Sequence, residues 1–345
     1  MNKKSLKSEN ANLEAITIAV LLSGLFIQAL TIYNVDPDGL YRPNRAKFTE
    51  SALWNEMLVA RYGRGDKLVL GSSLSERVNY DEFNLAMGGD VLNSAGATNL
   101  VSEQAFLLKD TVDRRQIKEV YWEMFLNLKD FTAQKPQFPS FAMNRSILDD
   151  WHYLISSAVF VRAVRTLVGG YNSKVGDFNS TRRSFSENEY GRDRPITERA
   201  RLIRGWNKQK LFWDIKEDSL RESLQSVVVP LLRNYPDIKF HFVFPPAGIF
   251  ALKELDRNLN KTGLSLSKFN CILVQELSQY PNAQIYNFQV EEMVKDFKEY
   301  SDALHYSEKV STKVAIGLRS EDFRVYESTC DLHAARMTEM LKKID

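Results

Sequence analysis

Hydrophobic and polar positions divide this chain into three kinds of stretch. The first is Ala15–Val35, where 21 successive residues carry no charge. About 20 apolar residues at ~1.5 Å rise match a ~30 Å hydrocarbon core, so the run predicts one transmembrane helix. Gln28, Ser23 and the threonines within it are tolerable, because a helix satisfies its own backbone. A cleaved signal peptide fits less well: its apolar run is ~7–15 residues and a small-residue cleavage site follows, which is missing here. The second kind of stretch is a set of short apolar runs: Lys67–Leu70, Asp90–Leu92, Glu119–Met124, Lys239–Phe244 and Gln284–Phe288. Each is bounded by turn residues and reads as a buried strand. Between and around them lie amphipathic stretches with helical spacing, among them Ala46–Tyr62, Ser102–Arg114, Glu217–Asn234 and Leu266–Gln279. Alternation of this kind predicts an α/β fold, an open parallel sheet with helices on both faces.

The third kind interrupts the alternation. Phe138–Gln209 reads as an insertion or lid. Its first part, Ser146–Val168, forms one or two helices, and Gly169–Pro195 is polar and rich in Gly, Asn and Ser. Asp36–Arg45, with its Pro, Asp and Gly, predicts an extended linker beyond the span. The expected order is a short tail at 1–14, an anchor at 15–35, a linker and helix at 36–64, the α/β domain at 65–325 with its insertion at about 138–209, and a helix at 326–345.

Composition changes the picture in a few places. The mean hydropathy of −0.33 suggests a soluble protein and hides the apolar N-terminus. Lys and Arg number 46 against 44 Asp and Glu, a net +2 that argues against a nucleic-acid partner. The balance conceals a basic stretch, Arg182–Lys210, with nine basic and four acidic residues; it is a solvated face or a surface for anionic glycan or lipid. Two cysteines exclude a disulfide-dense scaffold, and Cys271 and Cys330 are open to pairing or to remaining free. The four histidines show no metal spacing and no phosphate loop occurs, so no metal or cofactor is expected. Lys3, Lys4 and Lys7 precede the span, Arg42, Arg45 and Lys47 follow it, and about 310 residues lie beyond. This pattern predicts an inside N-terminus and a main domain outside the cytoplasm.

Three segments sit where an open sheet places its ligands, at the carboxyl ends of strands. Gly71-Ser72-Ser73-Leu74 follows the first strand, and Gly71 is read as permitting the sharp turn. Leu92-Asn93-Ser94-Ala95-Gly96 follows the second, where Gly96 lets a backbone N–H approach a ligand. Ser301-Asp302-Ala303-Leu304-His305-Tyr306-Ser307 lies beyond the last predicted strand. A carboxylate three residues from an imidazole can fix its tautomer and stabilise the imidazolium. A serine needs such a base to become a nucleophile. The expected roles are a serine of the first turn as nucleophile, His305 as base and Asp302 as its orienting group.

These blocks resemble the SGNH (GDSL-like) hydrolase superfamily over about residues 65–325. Gly71-Ser72-Ser73-Leu74 stands where the family has G-D-S-L, with Ser72 in place of the Asp, so the resemblance implies Ser73 as the nucleophile. Gly96 matches the second block, and Asp302 and His305 match D-x-x-H. The third block departs: Asn127 is the nearest counterpart of the family's oxyanion Asn, but its glycine is missing. The resemblance implies a three-layer α/β/α sheet domain and an oxyanion hole from Ser73, Gly96 and Asn127. The single span, the Asp-Pro-Asp-Gly linker, the Gly-Ser-Ser block and Phe244-Pro245-Pro246 are similar to membrane-anchored proteins of envelope-polysaccharide modification, of the D-alanyl transfer and alginate acetylation type. That implies a serine esterase or O-acyltransferase acting on an acylated envelope glycan, its substrate or acyl donor, beside a multi-pass membrane O-acyltransferase. The degenerate first and third blocks leave a second reading open, a non-catalytic glycan-binding or scaffold partner of such an acyltransferase.

Overall fold

The structure is a computed structural model that describes residues 3–41, 52–76, 80–96, 100–125, 150–168 and 215–343. The chain opens with helix α1 (Lys3–Val35). Helix α2 (Ala52–Tyr62) leads to strand β1 (Lys67–Leu70), the one-turn helix α3 (Ser73–Glu76), α4 (Tyr80–Met87) and β2 (Val91–Asn93). Next come α5 (Val101–Arg114), β3 (Glu119–Glu123) and two helices, α6 (Trp151–Leu154) and α7 (Ser157–Leu167). Helices α8 (Glu217–Ser223) and α9 (Val229–Asn234) are joined through a π-helical turn, Leu224–Val228. The chain then runs through β4 (Lys239–Phe244), α10 (Ile249–Asn260), α11 (Leu266–Leu277), β5 (Ala283–Asn287), α12 (Glu308–Ser320), β6 (Arg324–Val325) and α13 (Cys330–Lys342).

Chain contacts divide these elements into two units. The larger, Ala52–Gln137 with Asp177–Asp345, holds the sheet. It is a mixed α/β unit whose described residues form six strands in the order β2-β1-β3-β4-β5-β6. The five strands from β1 to β5 are parallel, and β6 pairs antiparallel with β5 at the edge. All five predicted strands are present to within a residue at each end. Two-residue β6 is too short to carry a hydrophobic pattern, so only its pairing to Ile285 and Tyr286 defines it. The central strands β1, β3 and β4 are buried after their first residue, as parallel sheets require. Side chains alternate across the sheet: Val69, Tyr121, Val243 and Tyr286 meet Phe83 of α4 and Val314, Ala315 and Leu318 of α12. Between them, on the other face, is Trp122, whose indole donates to Gln104 of α5. Trp122 is fully buried and belongs to the core.

The order places strands on both sides of β1, with β2 to one side and β3 to the other. That reversal is the topological switch point, and the crevice outside it is the usual ligand position in such sheets.

The smaller unit joins Met1–Ser51 to Phe138–Gly176. Its helix α1 contains an apolar segment, Glu14–Val35, long enough to cross a membrane. Asp36–Tyr41 is not the extended linker expected from its composition. Asp36 adopts a left-handed φ of 47°, and its carboxylate accepts the N–H groups of Leu40 (2.8 Å) and Tyr41 (3.0 Å). Gly39, at φ 69°, completes the turn. The buried Asp38 carboxylate takes a two-pronged bond from Arg162 of α7. Ser146–Val168, read from the sequence as one or two helices, is two within its described part, α6 and α7, and both pack on α1. The basic stretch Arg182–Lys210 lies outside the described residues.

Cys271 and Cys330 form a disulfide across 59 residues, tying α11 to the start of α13. Closing a loop of that length restricts the unfolded chain and typically stabilises by about 2–4 kcal/mol. The Cys271→Ser/Cys330→Ser pair is therefore expected to lose about that much stability. Denaturant unfolding of oxidised wild type against the double variant reads this out, and coincident curves would refute it.

Candidate active site

Parallel strands bring all their carboxyl ends to one edge of the sheet, and the three sequence segments converge there. Gly71 follows the last residue of strand β1. A Cβ at this position would lie 2.5 Å from Ser75 Oγ and 2.7 Å from Glu123 Oε2. The glycine thus gives the turn the room it needs, without a left-handed backbone. Ser73 then begins α3, partly exposed.

The turn is held by a residue that no motif singled out. Glu123, at the end of β3, is buried and receives four hydrogen bonds from it. Its Oε2 accepts Ser72 N–H (3.1 Å), Ser75 N–H (3.0 Å) and Ser75 Oγ–H (2.6 Å), and its Oε1 accepts Ser72 Oγ–H. Burial pushes the Glu123 carboxyl up, against the lowering effect of the Ser72 and Ser75 hydrogen bonds. The four donors complement an ionised carboxylate, whose two oxygens offer about four acceptor sites. The register Leu70↔Trp122 between β1 and β3 sets Glu123 beside this turn. The available sequence signal was a charged residue inside an otherwise apolar buried strand, which is costly unless partnered.

The imidazole comes from the other end of the chain. Tyr300 and Tyr306 pair as an isolated antiparallel bridge, making 300–306 a closed loop. Tyr300 Oη donates to the Pro246 carbonyl at 2.6 Å. Gly248, N-cap of α10, gives the loop room: a Cβ there would meet Ala303 O at 2.5 Å. Phe244-Pro245-Pro246 thus belongs to the segment that seats this loop. Ser307 closes it by capping α12, accepting the Val310 N–H.

Within the loop, Asp302 Oδ1 accepts the backbone N–H groups of Leu304 and His305, each at 2.8 Å. Asp302 Oδ2 lies 2.7 Å from His305 Nδ1, and His305 Nε2 lies 2.8 Å from Ser73 Oγ. The three side chains therefore form one continuous hydrogen-bonded chain. With Asp302 ionised, Nδ1 carries the proton and Nε2 is left to accept the serine O–H. Burial raises the Asp302 carboxyl, but the His305 hydrogen bond and charge, with the two N–H groups, outweigh it and bring it to about 2. The His305 side chain keeps 17% of its surface exposed, so the group is reachable. Such an arrangement can deliver a deprotonated serine oxygen to a carbonyl carbon.

The residues expected to form an oxyanion hole are placed unequally. The Ser73 N–H donates to no acceptor among the described residues. The Gly96 N–H donates to Gly71 O at 3.2 Å, so it is engaged in holding the second loop to the first. Asn93 assists, its amide donating to Ser75 O at 3.0 Å. Asn127 lies outside the described residues. No cluster of His, Cys, Asp or Glu suited to a metal ion occurs among the described residues. A cavity of about 680 Å³ beside α10, α11 and α13, lined by Lys253, Arg257 and Lys342, contains none of the residues above.

Fold and site together define an α/β chain with a Ser–His–Asp hydrogen-bonded chain at the switch point of its sheet. Among solved structures it is similar to one from Streptococcus pneumonia, provisionally described as a platelet activating factor. The identity is 10%, 90% of this chain and 98% of that chain are covered, and the TM-score is 0.39. No family profile matches the sequence, and no curated protein matches it. The roles that follow rest on this chain's own geometry.

Two outcomes are expected. Glu123→Ala leaves two buried N–H groups and two hydroxyls without their acceptor, at ~1–3 kcal/mol for each one left unsatisfied. It should lower stability by about 3 kcal/mol or more in denaturant unfolding, and a loss below ~0.5 kcal/mol would show that the carboxylate does not hold the turn. The stability that Asp302 adds is full above the ordinary carboxyl pKa of ~3.9 and falls away as pH drops toward 2. The stability gap between wild type and Asp302→Asn should therefore shrink over that window, and a gap independent of pH would contradict the lowered value.

Proposed function

We propose that this chain is a membrane-anchored, extracytoplasmic serine esterase or O-acyltransferase with a three-layer SGNH-like domain, acting on an acylated envelope glycan. The observation that carries the chemistry is the contact of Ser73 Oγ with His305 Nε2 at 2.8 Å, backed by His305 Nδ1 on Asp302 at 2.7 Å. Ser73 Oγ attacks the acyl carbonyl carbon while its proton passes to His305 Nε2. Asp302 holds the imidazole in the required tautomer and stabilises the imidazolium. The Ser73 N–H donates to the oxyanion, and Gly96 joins if its N–H turns from Gly71 O. Collapse of the tetrahedral intermediate breaks the bond to the leaving oxygen, which takes the proton from His305. Water or a sugar hydroxyl then attacks the acyl-serine with His305 again as base, releasing acid or acylated sugar and restoring the Ser73 hydroxyl.

The compartment is supported by two features. Glu14–Val35 is long and apolar enough for an anchor. The Cys271–Cys330 disulfide suits an oxidising environment and is uncommon in the cytosol. The glycan and a multi-pass acyltransferase partner rest on the resemblance of the span, the Asp-Pro-Asp-Gly turn and the Gly-Ser-Ser block to envelope acyl-transfer proteins.

A second reading, a non-catalytic scaffold, is favoured by the engagement of the Gly96 N–H, which leaves Ser73 N–H without a second described donor. A serine-reactive phosphonate separates the two. The full chain should be labelled at Ser73, and Ser73→Ala should lose labelling and acyl transfer while unfolding at the wild-type denaturant concentration. Asp302→Asn should slow acylation by on the order of 10²–10⁴. Folded wild type that takes no label at Ser73 would favour the scaffold.

A further inference from the structure

Helix α7 leaves an apolar face uncovered in the unit that contains α1. Its inner face is accounted for: Val159 and Ala163, one helical turn apart, are buried, and α6 and α7 both pack on α1. The covered part of α1 is its last third. Ile32 is fully buried and Gln28 and Ala29 are half-buried, whereas the large apolar residues from Ile16 to Ile27 are open, Phe26 by 67%. Val161, Val164, Leu167 and Val168, away from that pair, and Trp151 of α6 are between 39% and 75% exposed. Isolated apolar residues on a surface mean little, but a contiguous apolar face does.

We propose that α6–α7 is a second membrane element, lying in the outer interface of the bilayer with this face in the acyl chains. The inference rests on reading Glu14–Val35 as a membrane span. It follows from continuity, because α7 is packed along the same helix whose remaining apolar surface must meet lipid. Eleven residues make α7 about 16 Å long, too short to cross a ~30 Å core, so it lies in the interface instead. Its polar features agree with shallow depth. Arg162 is held by Asp38 just beyond the end of α1, which sets α7 at the level where the span emerges. Arg165 is exposed on the outer side and can extend its charge to the headgroups. Trp151 lies at the opposite end, a residue type enriched at membrane–water interfaces. The Asp38–Arg162 pair would then fix how the chain leaves the membrane, replacing a loose tether with a braced one.

Fluorophore depth in the full chain tests this. The native cysteines are paired, so a single introduced cysteine can be labelled with an environment-sensitive dye. Val164→Cys, Leu167→Cys and, as a reference within the span, Leu22→Cys are each reconstituted in phosphatidylcholine/phosphatidylglycerol vesicles. Labels at 164 and 167 should lose more than about half their emission to nitroxide lipids carrying the quencher near the headgroup, and little to aqueous iodide. The Leu22 label should be quenched by deep nitroxides. Quenching at 164 and 167 by iodide, or shielding from both quenchers, would overturn the proposal; the second result would mean that a protein covers the face. If Leu22 is lipid-quenched in those cases, the anchor stands and only the role of α7 falls. If Leu22 itself escapes lipid quenching, the span reading fails and takes this inference with it.

Discussion

The site depends on one buried carboxylate. Glu123 stands at the end of the central strand β3 and gathers the N–H and O–H groups of Ser72 and Ser75, on either side of Ser73. A turn leaving a strand has backbone groups that can no longer join the ladder, and each must find a partner if buried. Glu123 supplies it from the neighbouring strand, 51 residues away in sequence from Ser72. Gly71 is the counterpart of that arrangement, since any side chain there would collide with the carboxylate. The residue between Gly71 and Ser73 is Ser72, and the acid from the next strand accepts its hydroxyl hydrogen.

The base is held by a different principle. Asp302 and His305 lie in a loop closed on itself by the Tyr300–Tyr306 bridge and bonded to the β4–α10 connection through Tyr300 and Pro246. The Asp302 carboxylate is occupied on both oxygens, by two backbone N–H groups and by the imidazole. It cannot swing without breaking the loop's own hydrogen bonds, so the imidazole orientation is built into the backbone. One rigid turn and one rigid loop, each anchored to a parallel strand, meet at 2.8 Å. Rotamer freedom that a reacting pair would otherwise lose at the moment of reaction is already lost on folding.

The smaller unit uses the same device on another scale. Asp36 ends α1 in a left-handed turn and caps the following residues, while Asp38 receives Arg162. Two acids two residues apart thus convert a stretch rich in Pro and Gly into a defined corner. The Cys271–Cys330 bond similarly secures α13, the last helix, to α11.

Much of this was legible in the residues because it depends on local pattern. The apolar span, five of the six strands, and the roles expected of Asp302 and His305 follow from periodicity, charge-free length and a three-residue spacing. A serine after the glycine at the end of β1 was legible too, but the choice of Ser73 over Ser72 came from the resemblance of Gly71-Ser72-Ser73-Leu74 to the G-D-S-L block. What only the tertiary structure decided involves partners far apart in sequence. Glu123 looked like one more strand residue, because nothing near it in sequence reveals the turn it binds. The Gly96 N–H looked free until its carbonyl partner on Gly71 came into view. Helices α6 and α7 looked like part of an insertion, and their place beside α1 comes from Arg162 meeting Asp38 124 residues away. The sequence by itself determined which segments would be strand, helix and span, since burial periodicity is a property of neighbours along the chain. Which carboxylate serves which turn was decided by strand order and register, which exist only once the sheet has formed.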